Sequence, residues 1–135
     1  RETGGRRIKR SVNIDMTTIH FCTEEEKKSF IEKGWMNEEE SLQQITNFKV
    51  FRNYLMSYLR QHPHTHKELM IMARQLQPTA EGIPLEIYCF TDTTVWAEYE
   101  QIQAEIFDHV IAMTAHFSLR LFQRPSGTDI QNARP

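Results

Sequence analysis

The chain has 135 residues, 39% hydrophobic and 25% charged, with a formal net charge of −2, the balance of one soluble globular domain long enough to bury a real core. The slightly acidic total argues against nucleic acid as the main partner, since that role favours a basic surface. Two cysteines, Cys22 and Cys89, make no disulfide framework and read as reduced thiols, and neither a membrane-length apolar run nor a signal peptide is visible.

Charge is uneven along the chain. Residues 1–10 carry Arg1, Arg6, Arg7, Lys9 and Arg10 against Glu2 alone, whereas 24–40 carry seven Glu against three Lys. The opening RETGG lacks Met and runs almost at once into a strand, which reads as a piece of something longer. Residues 6–16 alternate, with Ile8, Val12, Ile14 and Met16 on one parity, and so predict a half-buried strand. The parity flips at Thr17-Thr18 and continues in Ile19 and Phe21, which predicts a bulge or bend. Thr23 with Glu26 has the capping-box spacing, so a short helix should follow and stop at Gly34. Asn37 with Glu40 marks a second short helix with Leu42 and Ile45 inward. From Thr46 or Asn47 to Gln61, Phe48, Phe51, Leu55 and Leu59 form an apolar stripe, and Pro63 ends the helix. Residues 68–77 read as a strand, 78–84 as a breaker-rich turn, and PLEIYCFTD as a strand with Leu85, Ile87 and Cys89 on one face. The longest helix spans 95–117, capped by Asp92, Thr93 or Thr94, with Val95, Tyr99, Ile102, Ile106, Val110, Met113 and Phe117 inward. SLRLFQR reads as a last strand before Pro125, with a loose tail over 126–135.

The fold class is therefore α+β. The order is the β-α-β-β-α-β of a ferredoxin-like sandwich, with a short helical insert (about 22–45) after the first strand. Residues 1–5 are the end of a linker and 6–125 the domain. Two helices would cover one sheet face, and Tyr88, Phe90 and Phe122 on the other hint at an interface.

Few residues suggest chemistry. His62, His64 and His66 alternate, as metal ligands on an extended strand do. They also stand just past a helix end, where His and Pro are ordinary stop signals, and no further Cys, Asp or His motif follows at ligand spacing. They remain a weak metal candidate. Asp108 and His109 are adjacent on a helix, roughly 100° apart, so they do not face each other and read as solvated surface. Cys89 lies on an apolar strand face and reads as an inert buried thiol. No phosphate loop, GxSxG or zincin motif occurs, and no catalytic residue or cofactor is assigned. The stretch Arg6, Arg7, Lys9, Arg10 lacks the interleaved aromatics of an RNA-binding sheet and reads as an exposed strand or a charged lining.

The stretches GGRRIKRSVNID, ITNFKVFRNYLMSYLRQHP, MARQLQPTAEGIPLEIY and PLEIYCFTDTTVWAEYEQIQAEIFDHVIAMTAHFSLRLFQRPSGTDI together resemble the C-terminal cytoplasmic α/β domain of MscS-type mechanosensitive channels. Within that family they resemble the longer miniconductance branch of bacterial inner membranes. The likeness runs from about Gly4 to Ile130 and is weakest over 22–44. It implies a homo-heptamer whose transmembrane helices line a tension-gated pore, above a hollow cytoplasmic cage with side portals. Ions and small osmolytes would pass during hypo-osmotic shock, and this domain would support the cage and filter what reaches the pore. Gly4-Gly5 would end the connection from a preceding β domain, and Arg6, Arg7, Lys9 and Arg10 would line the portals. A free-standing ferredoxin-like ligand-binding or regulatory module is the alternative.

Overall fold

The computed structural model describes residues 4–132, so the outermost residues of the expected linker end and tail lie outside the described residues. Strand β1 (Arg7–Ile14), helix α1 (Glu24–Glu32), helix α2 (Asn47–Gln61), strands β2 (Met72–Gln75) and β3 (Ile83–Phe90), helix α3 (Trp96–Thr114) and a short helix α4 (Gly127–Asn132) follow in that order. The sheet is antiparallel in the order β1-β3-β2. That arrangement makes the α+β class plain.

The fourth expected strand shrinks to one bridge, Ile14 to Leu121, beside the outer edge of β1. The position is the one a ferredoxin-like sheet requires, but toward 118–120 the ladder meets the end of β1, and in the other direction it reaches Pro125, which has no N–H to extend it. Asp15 ends β1 by accepting the Thr17 amide and hydroxyl, which starts a 3₁₀ turn over Met16–Thr18. The Asp15 amide to the Arg120 carbonyl and the Phe122 amide to the Asn13 carbonyl are the backbone bonds between the two segments, and the Arg120 guanidinium adds an ion pair to Asp15. That turn supplies the expected bend without a bulge and leaves Met16 and Phe21 exposed.

The insert is held by reciprocal caps. The Thr23 hydroxyl accepts the Glu26 amide at 3.1 Å while Glu26 accepts the Thr23 amide at 2.9 Å. Helix α1 stops at Gly34, whose φ of +76° suits glycine. Asn37 and Glu40 exchange the same pair of bonds but open only a 3₁₀ turn, Glu40–Leu42. Leu42 is 85% exposed, against the expected inward position, whereas Ile45 is buried. The turn is too short to present a second face to the core.

Helix α2 starts as expected, with Thr46 capping the Lys49 amide. Phe51, Leu55 and Leu59 of α2 and Ile106 and Val110 of α3 pack on Ile8, Ile14, Leu85, Ile87 and Cys89, so both helices cover one sheet face. Strand β2 is shorter than 68–77, because 66–69 turns instead, with the Leu69 amide reaching the His66 carbonyl. The long helix ends at Thr114 and tightens to 3₁₀ over Ala115–Phe117 before Ser118 at φ 59°. Val95 is its N-cap without a side-chain bond, and Thr93 Oγ1 accepts the Val95 amide instead.

Phe117 then closes the insert onto the core. Its ring stacks on Trp35 at 4.4 Å and lies near Phe51, Tyr54 and Phe30. Beside it, fully buried Asn47 accepts the His20 amide at 3.0 Å and donates toward the carbonyls of Phe117, Thr18 and Ser118. One amide side chain thus joins the segment between β1 and the insert, α2 and the end of α3.

Candidate functional site

A glycine makes the position of the basic segment possible. A Cβ on Gly5 would lie 1.9 Å from the Thr91 carbonyl oxygen, so only glycine lets the chain enter β1 this close to the end of β3. The next residue, Arg6, is fixed there: its carbonyl accepts the Thr91 amide at 2.9 Å and its amide reaches Thr91 Oγ1 at 3.2 Å. Arg6 and Arg7 then line an open cleft of about 730 Å³ with Tyr88, Phe90, Thr94 and Tyr99.

The arginines are braced by aromatic faces. The Arg6 guanidinium sits 5.3 Å from the Tyr99 ring centroid and donates through Nη1 toward the Thr94 carbonyl. Arg7 sits 6.0 Å from the Tyr88 ring. Such contacts hold the fork in place and leave N–H edges free to donate. The Tyr99 hydroxyl donates to the Arg7 carbonyl at 2.8 Å, and burial, helped by Glu100, pushes its phenol upward, so it keeps that proton.

The four basic residues do not form one cluster. Pairing of Arg7 with Phe90 and Lys9 with Tyr88 puts these side chains on the sheet face that the helices leave open. Arg10 has the parity of Ile8 and turns to the helix side, 5.7 Å from the Phe107 ring. Among the described residues none of the four has a carboxylate within ion-pair distance, while Arg74, Arg120 and Arg124 each have one.

The three clustered histidines serve separate partners. The stretch 62–66 is a turn rather than a strand, so alternation does not align the rings. His62 is buried; its Nδ1 accepts the His64 amide, which leaves the proton on Nε2 to bond Glu105 at 2.8 Å. His64 Nδ1 lies 3.3 Å from Asp92, and His66 Nδ1 accepts the Glu68 amide. Among the described residues no group of three His, Cys, Asp or Glu side chains is placed to hold a metal ion.

His109 departs from the solvated reading. It is half-buried, stacked on Tyr58 at 3.9 Å and bonded to the Tyr54 hydroxyl at 2.6 Å. Burial, then nearby His62, pushes its pKa down. Tyr54 and Tyr58 stand on the flank of α2 beside its apolar stripe, which is the signal that would have revealed this clasp. Cys89 is fully buried on the core face, and burial raises its thiol to about 12, so it carries no thiolate chemistry near neutrality.

No helix among the described residues is long and apolar enough to cross a membrane. Residues 47–117, from the start of α2 to the Phe117 ring, match the family model described as mechanosensitive ion channel MscS, C-terminal. The match spans just over half of the chain and contains the helix–strand–strand–helix unit on which the cleft's aromatic wall is built. The chain belongs to the MscS family of mechanosensitive ion channels, as its C-terminal domain.

Proposed function

We propose that this domain is part of the cytoplasmic vestibule beneath the pore of a bacterial tension-gated channel of the miniconductance branch. Seven copies would surround a hollow cage at the inner membrane, and ions and small osmolytes would enter through portals between domains. The observation that carries the reading is the family match over 47–117. The domain's work would be mechanical and electrostatic rather than catalytic: the buried core gives a stiff wall, and the basic segment biases what passes.

Arg6, Arg7, Lys9 and Arg10 support a lining role because no described carboxylate neutralises them. Exposed charges act over roughly 8 Å at physiological ionic strength, so a portal of that order would concentrate anions and repel cations. Replacing Arg7, Lys9 and Arg10 by Gln in the full-length channel should move reversal potentials toward cation preference in patch recordings. Unchanged reversal potentials would overturn the portal assignment. The channel reading itself needs apolar segments of about 20 residues in the polypeptide upstream of this domain, and a gene without them would sink it.

A further inference from the structure

We propose that the cleft at the start of β1 is a saturable binding site for an organic phosphate carrying a flat ring, a ligand of the mononucleotide class. This goes beyond the filtering role, which needs only loosely held charge. A volume of about 730 Å³ lies within the range of small-molecule sites and admits such a ligand.

The charged half of the site is already ordered. Arg6 is held by its own backbone on Thr91, by the Thr94 carbonyl and by the Tyr99 face. Arg7 is held over Tyr88. Side chains fixed before binding lose little freedom when they engage a phosphate, and a guanidinium fork matches two phosphate oxygens at once. Neither arginine has a carboxylate partner among the described residues that a ligand would have to displace. Helix α3 begins just past Thr94, and its N-cap Val95 supplies no side-chain acceptor, so the positive end of a 19-residue helix lies at the rim. Glu98, in the first turn of α3, accepts the Thr93 hydroxyl at 2.7 Å and lines a different depression.

The other half is aromatic. Tyr88 and Phe90 are half-buried on the uncovered sheet face, perpendicular to one another at 5.8 Å, and Tyr99 closes the third side. An inorganic anion gains nothing from such walls, whereas a flat ring stacks on them.

Titration calorimetry of the 135-residue chain with AMP, adenosine and inorganic phosphate at low salt tests this. AMP should bind one to one, at least about tenfold tighter than phosphate or adenosine, the increment of one base–aromatic stack. It should shift NMR signals of Tyr88, Phe90 and Tyr99 in the unaltered chain. The double variant Arg6→Gln, Arg7→Gln should lose at least about tenfold in AMP affinity, the loss of a charge-assisted pair. Phe90→Leu, which removes a wall that holds neither arginine, should weaken AMP and leave phosphate unchanged. Equal affinity for AMP and phosphate, no saturable binding, or signals shifting elsewhere would each overturn the proposal. The readout uses no channel current, so its failure and that of the portal assignment are told apart.

Discussion

Replacing Asn47 by alanine should unfasten the segment that leads from β1 into the insert. The side chain accepts the His20 amide and donates toward three carbonyls, of which the Phe117 oxygen at 2.9 Å is buried and the Thr18 oxygen at 3.1 Å part-buried. An amide has only two protons, so two donated bonds and one accepted bond are lost at full strength. Leaving the buried Phe117 carbonyl unpaired costs about 1–3 kcal/mol, and the two sites that water can reach cost about 0.5–1 kcal/mol each. The sum is about 3 kcal/mol, a large part of the ~5–15 kcal/mol that holds an ordinary domain together. In urea titrations, with a slope of about 1.5 kcal/mol/M, the midpoint should fall by about 2 M. Asn47→Asp gives a sharper test, because an ionised carboxylate at this position faces the carbonyl oxygens of Thr18, Phe117 and Ser118 with no proton to offer. Its folded-state pKa is therefore raised, and the destabilisation should grow as pH rises through that value and shrink in acid, when the group can donate. An alanine variant within about 0.5 kcal/mol of the parent, or an aspartate variant with no such pH trend, would refute the assigned role.

Other outcomes follow from the same packing. Gly5→Ala should destabilise the domain and displace Arg6 from the cleft, since the Thr91 carbonyl occupies the space a Cβ needs; unchanged melting together with unchanged Arg6 signals would contradict this. Phe117→Ala removes a fully buried ring that contacts Trp35, Phe30, Phe51 and Tyr54, and should cost about 3–5 kcal/mol by urea titration. The Glu26 bond raises the pKa of His20, a gain present below 6.5 and lost as pH rises through the folded value. Burial alone would raise the Glu26 carboxyl, but the Thr23 amide, His20 and Ser118 together lower it, a gain present above 4.5 and lost as pH falls through the folded value. The pair should thus stabilise most between 4.5 and 6.5, and Glu26→Gln should flatten that optimum in melting curves.

What could be read from the sequence was what depends on near neighbours. Thr23 and Glu26 are three residues apart, so their mutual cap follows from spacing alone, and the stripe of Phe51, Leu55 and Leu59 names the buried side of α2 without reference to the sheet. The fourth strand failed because its existence depends on another segment: SLRLFQR alternates well, but its first half faces the turn that follows Ile14 and its second half runs into Pro125. The histidine alternation misled for a related reason, since 62–66 turns on bonds from Thr65 to the Leu59 and His62 carbonyls. For the basic segment the signal was present but incompletely used. Parity already separates Arg7 and Lys9 from Arg10. The pairing of Arg7 with Phe90, which builds the cleft, is a register across 83 positions of sequence and has no local signature.

The cleft also divides along the family match. Tyr88, Phe90, Thr94 and Tyr99 lie within 47–117, whereas Arg6 and Arg7 precede it, as does the acidic insert. The aromatic wall therefore lies inside the matched stretch, and the charge comes from the segment before it that Gly5 and Thr91 fasten onto it. Those two parts meet through bonds to Thr91 and through guanidinium contacts with Tyr88, Thr94 and Tyr99 at the surface, so the charge can change without disturbing the core formed by Phe51, Leu55 and Ile106. It follows that Arg6→Gln and Arg7→Gln should leave the unfolding free energy from urea titration within about 0.5 kcal/mol of the parent, as surface changes do, while changing the anion response of the cleft. A large loss of stability in that variant would mean the arginines hold the fold rather than a ligand, and the separation of wall from charge would fail.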